Sequence, residues 1–295
     1  MNFKLILLSL ILFSSQAMAK LNVITTFAEF AELARDIGGK HVLVESLLEG
    51  TEDVHHQDAL PSHILKLKKA DVLCFAGLDL EIGWLPRLIM KSSNAKIIAG
   101  AKGYCEIGNY ITPLEKPKGI IDRSFGDVHA GGNPHYNLGI DSLIEAANYI
   151  TKVLAMNAPK HADEFQQNLK NVTIRLTNLK SELKLMIKKP LKAMHYHQEF
   201  SYFFANFGIE HMGSIEEKPG VPPSASRILV VSQLAKKNKV DVTLASYFAP
   251  EKVLTRFKEI SLVKTFKVPT AVIKNNSKLD TIEKVQRHLI KTITQ

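Results

Sequence analysis

Between Pro159 and Pro190 the chain carries neither glycine nor proline. Within that stretch Phe165, Leu169, Val172, Leu176, Leu179, Leu183 and Met186 recur at alternating steps of four and three. Such spacing puts all seven on one face of a helix. From Pro159 to Lys188 a helix would run roughly 45 Å at 1.5 Å per residue, long enough to span two domains. Lys188 and Lys189 suit its negative end, and Pro190 stops it. An isolated coiled coil is the rival reading, but there are too few heptads and no ordered flanking charge pattern. The sequence on either side must therefore fold around a rod.

Both flanks read as α/β units. On the N-terminal side, strand-like Leu21–Thr25, helical Phe27–Ile37, strand-like Val42–Leu48, a helix from Pro61 to Lys69 and strand-like Val72–Phe75 follow one another. That alternation, with apolar strands, predicts a parallel sheet covered by helices. On the far side, Leu191–His195, Val240–Ala245 and Thr270–Ile273 read as strands. Ser201–Phe207 reads as a short aromatic helix, Ser224 as the cap of a helix to Lys237, and Leu279–Ile293 as a final helix. The expected fold class is α/β: two lobes, each a mainly parallel sheet with flanking helices, joined by one long α-helix. The expected divisions are a signal peptide at 1–19, an N-terminal lobe at 20–158, the connecting helix at 159–189 and a C-terminal lobe at 190–295. The cleft between the lobes is the expected binding site.

The first residues read as an export signal. Lys4 supplies a positive start, Leu5 to Phe13 is almost wholly apolar, and Ala17-Met18-Ala19 gives the small-x-small cleavage pattern. Cleavage is expected after Ala19, with a periplasmic destination. No cysteine follows that point, which argues against a lipid anchor there, and no later stretch has the length of a membrane span. The formal charge of +9 could suit nucleic acid. However, the lysines are scattered without aromatic interleaving, so no nucleic-acid role is expected. Cys74 and Cys105 are the two cysteines. They do not make a metal-type pair, and they are open to two readings, one disulfide in an oxidising compartment or plain core packing.

Chemistry concentrates in three short stretches. These are Asp53-Val54-His55-His56, Asp127-Val128-His129 leading to Asn133-Pro134-His135, and His195-Tyr196-His197. Together they hold His55, His56, His129, His135, His195 and His197 of the eleven histidines. Each lies beside a strand end or a Gly/Pro turn, where distant side chains can converge. Three neutral imidazoles in one cleft make a transition-metal site, with zinc the first expectation. Only one of the adjacent His55 and His56 can face a given cleft. Pro134 fixes the backbone ahead of His135, whereas His129, near Gly131-Gly132, suits transient metal capture better than fixed ligation. Phe200, Tyr202 and Phe203 supply an apolar wall near His197. His63, in the first turn of its helix, is expected to face solvent. His41, His161, His211 and His288 show no evident polar partners and are left unassigned.

In this order and spacing the motifs resemble the metal-binding solute receptors of bacterial ABC importers, the group with a long backbone helix that carries zinc or manganese. The stretches that carry the resemblance are Asp53-Val54-His55 with Pro61-Ser62 and Lys69-Ala70-Asp71, and Gly77-Leu78-Asp79-Leu80-Glu81 with Trp84-Leu85. Asp122-Arg123-Ser124, Gly126-Asp127-Val128-His129 and Asn133-Pro134-His135-Tyr136 continue the series. Tyr196-His197, Phe200-Ser201-Tyr202-Phe203 and Pro219-Gly220-Val221-Pro222-Pro223-Ser224 complete it. The resemblance implies His55, His135 and His197 as metal ligands. A histidine at the third position resembles the zinc-type members, and imidazole suits zinc better than manganese. It further implies Zn²⁺ (Mn²⁺ less so) as a transported ligand, a membrane permease as partner, a monomer and no catalysis.

Two departures stand out. Asn137-Leu138-Gly139-Ile140 replaces the Trp-x-Asp-Pro stretch common in the family after the second histidine. The region expected to supply an aspartate as fourth ligand reads Lys274-Asn275-Asn276-Ser277, with no carboxylate before Asp280. The long histidine-rich, acid-rich loop of some zinc members is also missing between Pro113 and Gly126. Three histidines plus water is equally a catalytic pattern. A zinc hydrolase therefore competes, with Glu199 as its one tempting base, although no H-E-x-x-H motif is present. A metal-stabilised adhesion protein is the third reading.

Overall fold

A computed structural model describes residues 20–117 and 129–295. The export-signal reading, together with the Asp122-Arg123-Ser124 and Gly126-Asp127-Val128 motifs, lies outside them.

Two four-stranded sheets are present, and every pairing in both is parallel. The first contains β1 (Leu21–Thr25), β2 (Val42–Ser46), β3 (Val72–Phe75) and β4 (Tyr104–Glu106), in the order β2-β1-β3-β4. The second contains β5 (Lys192–His195), β6 (Glu210–Ser214), β7 (Val242–Ser246) and β8 (Lys264–Val268), in the order β6-β5-β7-β8. The lobes thus repeat one topology. In both, the chain runs outward from the first strand in two directions, which opens a crevice at the carboxyl ends of the strands. Helices α1 (Ala28–Gly38), α2 (Pro61–Lys69) and α3 (Leu85–Ser92) flank the first sheet. Helices α6 (Ser201–Phe207), α7 (Ala225–Lys237) and α8 (Glu251–Ser261) belong to the second. Ser224 caps α7 as expected, accepting the Arg227 N–H.

Between the lobes run α4 (Ile140–Asn157) and α5 (Ala162–Lys184). The stripe on α5 is buried from Phe165 to Leu183. At 23 residues, α5 is shorter than expected, or roughly 35 Å. Pro159–His161 forms a separate 3-10 turn, and regular winding ends at Lys184. Beyond Lys184 the bonds tighten to i→i+3, with the N–H groups of Leu185, Met186 and Ile187 donating to the carbonyls of Glu182, Leu183 and Lys184. The core around α5 is continuous. It joins Phe30 and Leu33 of α1, Leu143 and Ile150 of α4, and Leu244 and Val268 of the second sheet.

After β8 the chain leaves the second sheet. The Thr270–Ile273 stretch, expected as a strand, is irregular; the strand is Lys264–Val268 instead. Lys264 and Lys267 disguised that strand, and Pro269 ends it. The apolar residues 271–273 are buried, but their backbone pairs outside any sheet. The Val272 N–H donates to Glu29 Oε1 at 3.0 Å. The Ile273 N–H donates to the Leu279 carbonyl, and the Lys274 N–H to the Glu49 carbonyl. This crossing strap passes directly over Gly50 (φ +92), where a Cβ would meet the Val272 carbonyl oxygen at 2.0 Å. Helix α9 (Ile282–Ile293) then packs on α5 and adds its apolar face to the shared core. The Ile282 N–H donates to Glu32 Oε2 of α1.

The cysteines are bridged. Cys74 of β3 and Cys105 of β4 are direct cross-strand neighbours with Cα atoms 4.4 Å apart, both fully buried. His63 corrects its expectation, because it is buried, at 7% exposure. The charged loop bearing Glu49 and Glu52, with Lys274 of the strap, surrounds this first turn of α2.

Candidate metal centre

The three histidine-bearing loops meet at the carboxyl ends of the two sheets. His135 Nε2 lies 3.2 Å from His55 Nε2 and 3.2 Å from His197 Nε2. One nitrogen from each ring falls within 4.8 Å of the other two. Tetrahedral zinc with Zn–N bonds near 2.05 Å holds its nitrogen ligands about 3.3 Å apart. The rings stand edge to face, at interplanar angles of 63° for His55–His135 and 89° for His135–His197. Three nitrogen edges can therefore converge without the rings stacking.

Each loop has its own local cause. In the first, Asp53 Oδ1 accepts the His55 N–H at 3.0 Å, and the Trp84 indole N–H donates to the Val54 carbonyl at 3.0 Å. Glu52 gathers the N–H groups of Glu49, Gly50 and Thr51. His56 turns outward, with its side chain 72% exposed. In the second loop, Asn133 Oδ1 accepts the His135 N–H at 2.9 Å. The Asn133 amide then donates to Glu115 Oε2 and to the Gln198 carbonyl, both at 2.7 Å. The Tyr202 hydroxyl donates to the Asn133 carbonyl at 2.7 Å. Residues of the second lobe thus hold the loop that carries His135. In the third, His197 lies two residues past the end of β5, and its Nδ1 lies 2.8 Å from Glu216 Oε2.

Glu216 was not foreseen from sequence. It lies 19 residues beyond His197, and its only visible signal is its place just upstream of the Pro219 turn. Its side chain is 8% exposed, and Oε2 also accepts the Gly220 N–H at 3.1 Å. A carboxylate that accepts the Nδ1–H keeps the ring proton on Nδ1 and leaves the Nε2 lone pair facing the cleft. The other support unseen in sequence is Asn137. From the stretch that departs from the family pattern, it donates to Glu29 Oε1 and to the Thr270 carbonyl, tying the second loop to the strap.

Burial, reinforced by His197, His129 and His56, pushes the His55 imidazole down to about 3. Burial first, then the neighbouring histidines, holds His135 well below its ordinary value. Both rings are therefore neutral near pH 7, the form that can donate to a metal. The cavity around them is about 210 Å³ and is lined by Phe27, Asp53, Glu199, Ser246, Phe248 and Thr270 as well as the histidines. Glu199 is 2% exposed, and its Oε2 has no hydrogen-bond partner. Burial pushes its carboxyl up to about 7. Asp280 does not line the cavity; it pairs with Lys284 at 2.6 Å. His129 stacks over His55 at 5.5 Å between ring centres. His195 is fully buried between Phe204 and His211.

The family model described as zinc-uptake complex component A, periplasmic (ZnuA), matches residues 23–295. The zinc-binding lipoprotein AdcA of Streptococcus pneumoniae is 24% identical over 229 residues, covering 76% of this chain and 45% of AdcA. This chain thus spans less than half of AdcA's length. The manganese ABC transporter substrate-binding lipoprotein PsaA of Streptococcus pneumoniae is 26% identical over 238 residues, covering 77% of this chain and 72% of PsaA. In fold, the crystal structure of a ZnuA superposes with a TM-score of 0.76 at 20% identity, covering 93% of this chain and 98% of the other.

Proposed function

This chain belongs to the ZnuA family of periplasmic zinc-uptake components, and we propose that it captures Zn²⁺ between its lobes and hands it to the membrane permease of an ABC importer. The observation that carries the reading is the meeting of His55, His135 and His197, with His135 Nε2 lying 3.2 Å from the Nε2 atom of each of the other two. In the proposed complex these three imidazoles are the ligands. His55 and His135 come from the N-terminal side of the rod and His197 from the C-terminal side. The family is one of receptors rather than enzymes, so the proposal needs reversible capture and no turnover.

Zinc is favoured over manganese by the donor set. Manganese seeks oxygen-rich sites, whereas three neutral imidazoles suit zinc. The relatives name both metals, so the choice rests on these donors. Asp53 is engaged with the His55 N–H and His56, and Glu216 with His197. Glu199 is the remaining carboxylate on the cavity wall, and it or water would complete a tetrahedron. Export, a cleaved signal and a monomeric state belong to the same proposal, as does release through local movement of the loops.

The test is a competitive titration of Zn²⁺ against Mn²⁺ on the mature protein, with metal counted by mass spectrometry. One tightly held zinc that manganese fails to displace is expected, and His135→Ala should abolish it. Retention of that tight zinc by the His135→Ala protein would overturn the ligand assignment.

A further inference from the structure

A second group of donors lies at the other end of the first sheet. His41 closes the turn just before β2, at the amino ends of strands whose carboxyl ends face the cleft. His161 immediately precedes α5, and Glu164 lies in its first turn. The His41 and His161 rings are stacked, with centres 3.6 Å apart and planes 17° from parallel. His41 Nε2 is 2.8 Å from Glu164 Oε2, across 123 residues of sequence. One donor atom from each of the three residues falls within 4.8 Å of the others.

We propose that His41, His161 and Glu164 form a second transition-metal site, of zinc type and weaker than the cleft site. Two imidazoles and a carboxylate are a zinc donor set, with water for the fourth position. The scaffold is already built. Asn168 of α5 donates to the Ile37 carbonyl at 2.9 Å, which fixes the turn carrying His41 against the helix carrying the other two donors. Both imidazoles lie near the fully buried ring of Phe165, at 6.0 and 6.2 Å between centres. On their open side is a cavity of about 180 Å³ lined by both histidines, Leu21, Asn157 and Pro159.

Two features make the site the weaker one. Stacked rings must swing apart to aim two nitrogens at one ion, whereas the cleft rings already stand edge to face. Lys40, 3.8 Å from Glu164, opposes a cation, although its own side chain is 76% exposed and free to move away. A metal here would clasp the α1–β2 turn to the head of the central helix.

The experiment uses the full mature chain, with Zn²⁺ and then Co²⁺ as probes. The wild-type protein should take up two zinc ions, one tight and one weaker. His135→Ala should lose the tight equivalent and keep the weak one. His41→Asn with His161→Gln should do the reverse, and Glu164→Gln alone should also lose the weak equivalent. Circular dichroism of the metal-free variants checks that each is folded. In the His135→Ala background, Co²⁺ should give visible tetrahedral absorption that disappears when His41 is also replaced. A wild-type protein that binds one zinc only, or a weak equivalent untouched by the His41 and His161 changes, overturns the second site. The cleft reading stands or falls separately, on His135→Ala.

Discussion

At the scale of single residues, the cleft depends on groups that do not touch its centre. Glu216 holds Nδ1 of His197 so that Nε2 faces inward. Glu216→Gln keeps the shape and removes the charge. Zinc affinity should fall roughly 10- to 100-fold while thermal stability changes little. Unchanged affinity in competition titration would remove Glu216 from that role. Glu81 shows a different pressure. It is buried, its carboxylate accepts from Thr26 Oγ1 and the Ala76 and Gly77 N–H groups, and burial pushes it up to about 7 from 4.5. The folded protein therefore keeps a proton that the unfolded chain releases above pH 4.5. Its contribution to stability is greatest below 4.5 and declines as pH rises through 7. Urea melts at pH 5 and pH 8 should show the wild type losing stability relative to Glu81→Gln at the higher pH. A parallel response of the two proteins would contradict the assignment.

At the scale of elements, the central helix is the part on which both lobes rest. Leu176 lies mid-stripe on α5, 1% exposed, within the core that joins α1, α4 and the second sheet. Leu176→Ala should cost about 2–5 kcal/mol. Because that core is shared, both lobes should unfold in one transition. Separate transitions reported by the lone Trp84 in the first lobe and by far-ultraviolet circular dichroism would argue for independent lobes. The strap from Thr270 to Leu279 matters in a different way. It carries the chain end back to the first lobe, and its backbone meets Glu29, Glu49 and Asn137 beside the loops that hold His55 and His135.

At the scale of the molecule, the continuous core and the crossing strap oppose large domain rotation. Metal binding should therefore leave the radius of gyration in solution scattering unchanged within error, with movement confined to the loops. A marked compaction on adding zinc would show hinge closure instead. No helix among the described residues is long and apolar enough to cross a membrane.

Local pattern was legible in the chain itself. The α5 stripe, the Ser224 cap, the strands at Leu21–Thr25 and Val72–Phe75 and the helix at Pro61–Lys69 follow from periodicity and capping, which act over a few residues. The three histidine loops could be picked out for the same reason. Their meeting point could not be read from spacing, because separations of 62 and 80 residues are closed only by packing two sheets around a shared helix. The same holds for the Glu216 support of His197, the burial of His63, and the pairing of His41 with Glu164. The Thr270–Ile273 segment is the clearest divide. Its composition determined that it would be buried, but only the tertiary structure, by offering Glu29 and Glu49 as partners for its backbone, decided that it would be a strap rather than a strand.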